Sequence, residues 1–210
     1  MTSSAQTPRR NRDKEILPAA IQVLSQKGYA AASLQDIADE VGLLKGSLYH
    51  YISSKESLLY RIFQESHEEA STLMAAIDDL GLTPDAKLRE FVRRLTLFYA
   101  QNPERARIYF GEWRHLTGED LETVMEQRRE FELYVRGIVI DAHERGLTNP
   151  DLDVKLATRY ILTAVNGVIL WYSPDGPLPA KDIADQITEL VCSSVLRRKR
   201  ATNRKSTNAA

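Results

Sequence analysis

Apolar residues recur at intervals of three and four positions along almost the whole chain, from residue 11 to residue 196. This spacing places them on one side of an α-helix, whereas a half-buried strand would alternate apolar and polar residues, and no convincing alternation is found. The chain has 210 residues, 43% of them hydrophobic, which is enough to bury a substantial core. The sequence therefore predicts an all-α protein.

Composition limits the class of protein further. Positive and negative side chains nearly cancel, giving a formal net charge of -1, so any binding to nucleic acid must depend on a local surface. The single cysteine, Cys192, cannot form an intrachain disulfide or a multi-cysteine metal site, which fits a reducing compartment. No apolar run reaches the roughly 18 residues of a membrane span. We therefore expect a soluble, cytoplasmic protein with no membrane association, no metal and no cofactor.

Capping residues and glycines divide the N-terminal part of the chain into short helices. A first helix is expected to end at Gly28, and Ser33 is in the position of an N-cap before a helix that Gly42 stops. A second short helix is predicted over about residues 44–52. Two short helices joined by a turn with glycine are typical of the helix-turn-helix, whose second helix enters the major groove. Residues 9–54 are thus predicted to form a three-helix DNA-binding domain.

The second short helix offers a surface suited to DNA. Leu44, Leu48 and Tyr51 are expected to point inward and anchor it. The outward positions are free of acidic residues and rich in hydrogen-bonding groups: Lys45, Gly46, Ser47, Tyr49 and His50. Lysine can donate to guanine edges or phosphate and serine can bond to a base edge, while glycine permits a close backbone approach. This surface predicts contact with an anionic duplex.

Short motifs in this region resemble the DNA-binding domain of TetR-family (tetracycline-repressor) regulators over about residues 12–60. The motifs are Gly28-Tyr29, Ser33-Leu34, Asp36-Ile37-Ala38, Val41-Gly42, Gly46-Ser47-Leu48-Tyr49 and Lys55-Glu56-Ser57-Leu58. The resemblance implies an all-α homodimer that binds double-stranded DNA. It also implies phosphate contacts by Ser33, Tyr49 and Lys55, and groove contacts by Lys45, Ser47 and His50.

Three features depart from the family pattern. The family often has Tyr-Tyr-His-Phe where this chain has Tyr49-His50-Tyr51-Ile52, so the histidine is displaced by one position. Pro18 stands where a helix-forming residue is usual, and it predicts a kink or a late start of the first helix. The charges of the N-terminal domain are nearly balanced, which predicts modest non-specific affinity for DNA.

Residues 55–196 are predicted to form a helical domain for ligand binding and dimerisation. The helix predicted over about residues 154–172 is apolar almost all round, so it should be buried on two sides. Together with a last helix over about residues 181–196, it would form half of a four-helix bundle across the two-fold axis of a homodimer. Asn166-Gly167 within it fits either a close helix crossing or an amide that contacts a ligand.

Aromatic side chains interspersed with arginines mark the middle of this domain. Helices of this composition can wall an apolar pocket with a cationic mouth, which suits an anionic amphiphile. We predict ligand contacts from Tyr109, Trp113, Arg128 and Phe131. The runs 112–116 and 171–178 are similar to those of TetR members that regulate fatty-acid or steroid catabolism and respond to acyl-CoA thioesters. The resemblance implies a repressor that a small hydrophobic or amphiphilic effector, with acyl-CoA as one candidate, releases from a palindromic operator.

Two other classes of protein share the predicted fold. A helical-bundle enzyme would need a repeated metal-binding pattern, and Glu112 and His115, at i and i+3, supply that spacing only once. We predict no catalytic residues. A helical interaction module would have the same helices without touching DNA. Outside the domains, residues 1–8 are expected to be a disordered tail and residues 197–210 a basic disordered tail or a phosphate-binding arm.

Overall fold

The computed structural model describes residues 9–197, with side chains from Lys14 onward. In this part of the chain the α-helices are α1 (Arg9–Ala31), α2 (Leu34–Val41), α3 (Lys45–Leu48), α4 (Lys55–Asp78), α5 (Pro84–Gln101), α6 (Pro103–Gly111), α7 (Gly118–Glu144), α8 (Val154–Asn166) and α9 (Ala180–Val195). Short 3-10 helices, Trp113–His115 and Gly167–Leu170, follow α6 and α8. Residues 9–197 contain no strand beyond one isolated bridge, which confirms the all-α prediction. The expected tail over residues 1–8 lies outside the described residues, and so does the expected tail over residues 197–210 apart from Arg197, whose N–H donates to the Leu147 carbonyl at 2.8 Å.

Helix α1 breaks at Gly28 and not at Pro18. The late start expected at Pro18 is wrong, because α1 begins at Arg9 and continues through the proline. The backbone leaves helical geometry at Gly28, where φ is 74°, a region that favours glycine. The interruption predicted at Gly28 is therefore present, although helical geometry resumes up to Ala31.

Both ends of α2 follow the capping chemistry of the sequence. Ser33 forms a capping box with Asp36: the Ser33 Oγ accepts the Asp36 N–H at 3.2 Å, and Asp36 Oδ2 accepts the Ser33 N–H at 2.8 Å. Gly42 ends the helix in the left-handed conformation, with φ 71°. The Leu43 N–H then donates to the Ala38 carbonyl at 2.8 Å, which fixes the direction in which the chain leaves for α3.

The capping box makes α2 sensitive to acid. A hydrogen bond from Lys27 and bonds from Ser33 lower the pKa of Asp36 to about 2. Because an unfolded chain has an aspartate pKa of about 4, the stability from this carboxylate is fully present above that pH and is lost as the pH falls toward 2. We expect the difference in melting temperature between wild type and Asp36→Asn, followed by circular dichroism, to shrink over this range. A difference that stays constant from about pH 5 to pH 2 would contradict this account.

The two larger apolar cores lie at opposite ends of the long helix α4. The first joins α1, α2 and α3 to the first turns of α4, around the fully buried Leu48 and Phe63. It also includes Ile108, Leu116 and Val124 from the C-terminal part of the chain. The second core joins the end of α4 to α5, α7, α8 and α9. Helix α4 is therefore shared by the two predicted domains, and any tilt of it would move one core relative to the other.

Two helices end earlier than the sequence predicted. Helix α3 ends at Leu48, where the following turn is closed by hydrogen bonds to residues three positions back. Helix α8 ends at Asn166, short of residue 172. Both α8 and α6 stop at or beside a glycine, which has low helix propensity, and a 3-10 helix follows each.

Candidate DNA interface and ligand cavity

A few apolar side chains hold α3 against its neighbours. Leu48 is fully buried, and Tyr51 packs half-buried against the first core, which confirms the inward direction predicted for both. The prediction for Leu44 is wrong, because its side chain is 80% exposed. Leu44 is the extended N-cap residue that precedes α3, so helical spacing does not apply to it. The preceding Leu43 packs against the core instead.

The outward side of α3 and the turn that follows it carry the residues of this region predicted to contact DNA. Four of them are exposed: Lys45, Gly46, Tyr49 and His50. Ser47 is half-buried. Residues 42–55 contain no acidic side chain, and no described residue forms an ion pair with Lys45. The positive charge of this surface is therefore available to an anion.

The remaining predicted phosphate contacts, Ser33 and Lys55, are engaged within the protein. The Ser33 hydroxyl donates its one proton to Asp36 Oδ2 at 2.7 Å. The Lys55 ammonium donates to the carbonyls of Tyr29 (2.7 Å) and Ala32 (2.8 Å), and it lies 4.3 Å from the centre of the Tyr29 ring. Lys55 therefore has one N–H left for a phosphate, and Ser33 could donate to one only after its bond to Asp36 breaks.

Hydrogen bonds and a ring stack join α1 and the start of α4 to the segment between α6 and α7. Glu112 Oε1 accepts the Tyr29 N–H at 3.3 Å, and the His115 ring stacks on the Tyr29 ring at 4.5 Å between centres. Glu56 accepts both the N–H (2.9 Å) and the hydroxyl (2.8 Å) of Thr117. Nothing in the sequence marks this junction, since Tyr29 and Glu112 are 83 positions apart. Among the described residues no cluster of three metal-ligating side chains includes Glu112 and His115.

A cavity of about 220 Å³ lies between α4, α5, α6, α7 and α8. Three of the four predicted ligand contacts, Tyr109, Arg128 and Phe131, line this cavity. Trp113 does not line it, because α6 ends at Gly111 and the following turn packs Trp113 against the first core. The Trp113 ring centre lies 5.5 Å from the Arg128 guanidinium carbon, so Trp113 reaches the cavity only through Arg128.

The Arg128 guanidinium is a half-buried cation surrounded by aromatic rings. Its carbon lies 5.0 Å from the Tyr109 ring centre and 5.8 Å from that of Phe110. Its Nη1 is buried, and no described residue accepts a hydrogen bond from it. Burial lowers the pKa of Arg128 and raises the pKa of Tyr109. An anion that reached this guanidinium would compensate a cation to which the described residues offer only ring contacts.

Asn166 adds a second unpaired polar atom to the lining. Its Oδ1 is buried and receives no hydrogen bond from any described residue. It is the last residue of α8, and it faces the cavity together with Leu162. Of the two interpretations of Asn166-Gly167, contact with a ligand gains support from this position.

Large apolar side chains are exposed along α8, the turn after it and α9. This apolar patch comprises Leu156, Tyr160, Leu170, Trp171, Leu178 and Leu190. The opposite side of α8, with Ala157, Ile161 and Val165, is buried in the second core. Among the described helices, none combines the length and the apolar character needed to cross a membrane. Helix α8 is thus apolar on two sides, and within one chain only one of them is covered.

Comparison with known proteins identifies the class that this fold and these sites define. The profile of bacterial regulatory proteins of the tetR family matches residues 16–62, and that of the tetracyclin repressor-like C-terminal domain matches residues 81–195. The chain therefore belongs to the TetR family of helix-turn-helix transcriptional regulators, as its motifs implied. Because this is a family of regulators, the expectation that the chain is not an enzyme is confirmed.

Several individual members of the family resemble this chain over most of its length. The transcriptional repressor KstR2 of Rhodococcus jostii RHA1 is 29% identical over 181 residues, covering 86% of this chain and 89% of the relative. The structure of the ketosteroid regulator KstR2 of Mycobacterium tuberculosis has a TM-score of 0.84 at 24% identity, over 93% of this chain and all of that one. The structure of AibR with isovaleryl coenzyme A and operator DNA has a TM-score of 0.78 at 25% identity, over 85% of this chain and 97% of that one. The fold is shared along nearly the full length of these proteins.

Proposed function

We propose that this chain is a homodimeric repressor that binds a palindromic operator through α3 and releases it when an anionic amphiphile occupies the cavity. The observation that carries this proposal is the outward surface of α3, which is exposed, positively charged and free of acids. The relative KstR2 is named a repressor, which supports the same direction of control here. A cytoplasmic location follows from operator binding.

Each residue predicted to contact DNA from α3 or from the turn after it has a role in this proposal. Lys45 donates to a guanine edge or a phosphate, and Ser47 bonds to a base edge. Gly46 lets the backbone come close to the groove, while Tyr49 and His50 offer polar tips to phosphate oxygens. The contacts to base edges would determine which sequence is bound, and the contacts to phosphates would position the protein on the duplex.

Ser33 and Lys55 support this surface from the flanking helices. Ser33 holds the start of α2 through its capping box with Asp36. Lys55 ties the start of α4 to the end of α1 through two carbonyls, and its third N–H is the one proposed to meet a phosphate. Ser33 and Lys55 would therefore affect DNA affinity largely by holding α2 and α4 in place, which fixes the position of α3 between them.

The apolar patch on α8 and α9 is proposed to be the dimer interface. A two-fold axis through it would bring the same residues of both chains together and complete a four-helix bundle. A protein with this symmetry reads a palindrome when its two recognition helices sit about 34–36 Å apart. If the apolar patch forms the dimer interface, the two-fold axis that it creates also requires a palindromic operator.

The effector is proposed to place its acyl end in the cavity, with a carbonyl or carboxylate oxygen facing Arg128. The cavity volume of about 220 Å³ is below the roughly 300–1,000 Å³ of pockets that enclose drug-sized ligands. It therefore suits one end of an amphiphile such as an acyl-CoA better than the whole molecule. AibR, a structural neighbour, binds isovaleryl coenzyme A, whose acyl group is small.

The contacts around Tyr29 could transmit the effect of a bound effector from the cavity to the DNA-binding domain. Tyr109 lines the cavity, and Glu112, three positions later, accepts the N–H of Tyr29 in the DNA-binding domain. A ligand that moves α6 therefore also moves the contacts of Tyr29. Release of DNA further requires that the effector bind the non-DNA-binding geometry more tightly, because equal affinity would shift nothing.

Arg128→Met is expected to abolish stabilisation by the effector. In wild type, an effector at about a hundred times its Kd should stabilise the fold by about 2.7 kcal/mol, raising the melting temperature by roughly 5–10 °C. The test is thermal melting against acyl-CoAs of increasing chain length. Without ligand, the variant should melt no lower than wild type, because methionine removes a half-buried cation that has no anionic partner among the described residues.

Arg129→Met is the matched control, since the neighbouring Arg129 is exposed and pairs with Glu126. It should keep the full ligand-induced shift. Stabilisation of Arg128→Met equal to that of wild type would reject Arg128 as a contact. No stabilisation of wild type by any acyl-CoA would reject the proposed class of effector.

A further inference from the structure

Leu44 is an apolar residue at an exposed N-cap position, where neither core packing nor helix capping favours leucine. It is the N-cap residue of α3, with φ -68° and ψ 141°, and its carbonyl accepts the N–H groups of Ser47 (2.8 Å) and Leu48 (3.2 Å). No side chain caps the helix, because leucine has no hydrogen-bond acceptor to offer. The same side chain is 80% exposed.

Among the described residues, Leu44 packs against no apolar cluster. Leu43 supplies the apolar contact with the first core at this point, and Leu44 has no place in that core. A serine or aspartate at position 44 would cap α3 and suit water better. An apolar side chain here therefore fits a surface that is covered in the working state of the protein.

Position 44 lies at the part of a helix-turn-helix that approaches the bases. In this motif the N-terminal residues of the recognition helix contact base edges, and Leu44 directly precedes Lys45 and Gly46 at that end of α3. Gly46 carries no side chain that would hold this end of the helix away from the groove. The apolar group that a base pair presents in the major groove is the C5-methyl of thymine.

We propose that Leu44 packs against the methyl group of a thymine in each half-site and so determines part of the sequence preference. The proposal rests on the proposed function, because it needs α3 to lie in the major groove. The contact would select thymine at one position of each half-site, a preference that the hydrogen bonds of the polar residues on α3 do not provide. Lys45 and Ser47 supply hydrogen bonds, whereas Leu44 supplies an apolar contact that a cytosine lacking the methyl group cannot make.

The test is a double-mutant cycle in which one change is Leu44→Ala in the protein and the other is removal of thymine methyl groups from the DNA. Duplexes bound by the full chain are first selected from a random DNA pool, and each symmetric pair of thymines is then replaced by deoxyuridine. For wild type, one such replacement should weaken binding about fourfold per half-site, or about fifteenfold for a dimer. For Leu44→Ala, which should already bind about tenfold or more weakly, the same replacement should change Kd less than about twofold.

Two further variants separate this contact from effects on folding. Leu44→Ser provides a capping hydroxyl, so it should melt at or above the wild-type temperature while binding the thymine duplex as weakly as Leu44→Ala. Leu80→Ala, at an exposed leucine between α4 and α5, should bind like wild type.

Each contrary outcome has a distinct meaning. If every deoxyuridine replacement costs Leu44→Ala as much as it costs wild type, or if the selected sites lack a sensitive thymine, the thymine contact is refuted while DNA binding stands. If no duplex is enriched from the pool, the proposed function fails and this inference fails with it.

Discussion

Replacing Leu156 and Leu190 together with glutamate is expected to produce a monomer that has lost operator binding. Both leucines belong to the apolar patch, and their side chains are 66% and 64% exposed in the single chain. Two glutamates in each chain would place four like charges in a buried interface, where each unpaired carboxylate costs several kcal/mol. Sedimentation velocity should show one species of half the wild-type mass.

Loss of the dimer should also weaken operator binding by at least about a hundredfold, because the second half-site is then no longer bound from within the same molecule. Leu133→Glu is the control: Leu133 is an exposed leucine on α7, 46% exposed and outside the patch. The control should remain dimeric and bind DNA. A dimer that survives both glutamates would place the interface elsewhere.

Lys45→Ala combined with Tyr49→Phe is expected to lower operator affinity by about 700-fold or more, the equivalent of about 4 kcal/mol. Each lost contact to a base edge or phosphate costs about 1 kcal/mol or more, and a dimer loses every contact twice. Both side chains are exposed, so the melting temperature should stay close to that of wild type. Affinity is measured by fluorescence anisotropy on the selected duplex at several salt concentrations.

The salt dependence distinguishes a lost phosphate contact from a lost base contact. If Lys45 binds phosphate, the slope of log K against log salt should become less steep by about two for the dimer. Lys181→Ala removes the same charge from α9, far along the chain from α3, and should leave both affinity and slope unchanged. Unchanged binding of the Lys45/Tyr49 variant would refute the contact assignment on α3.

Local chemistry explains why much of the N-terminal domain could be predicted. Ser33 and Gly42 have strong preferences at helix ends, and both occupy the predicted caps in the structure. The prediction for Leu44 is wrong for a related reason: periodicity was applied across the start of a helix of only four residues, where an N-cap residue does not follow helical spacing.

Long-range contacts explain most of what the sequence could not predict. The bond from Tyr29 to Glu112 and the packing of the half-buried Trp113 against the first core join segments far apart in the chain, and periodicity carries no information about such pairs. The same holds for Lys55, whose ammonium meets two carbonyls at the end of α1. The positions of Arg128 and Phe131 were easier to predict, because bulky and cationic residues spaced along α7 fall on one side of it.

The central claim is that two copies of the α3 surface read a palindrome. Hydroxyl-radical footprinting of the full chain on its selected duplex tests this claim most directly. The account predicts one dimer per duplex, with two symmetric protected regions whose centres lie about one helical turn, or 10–10.5 base pairs, apart. A single asymmetric region, or protection of a duplex that has no two-fold symmetry, would contradict it.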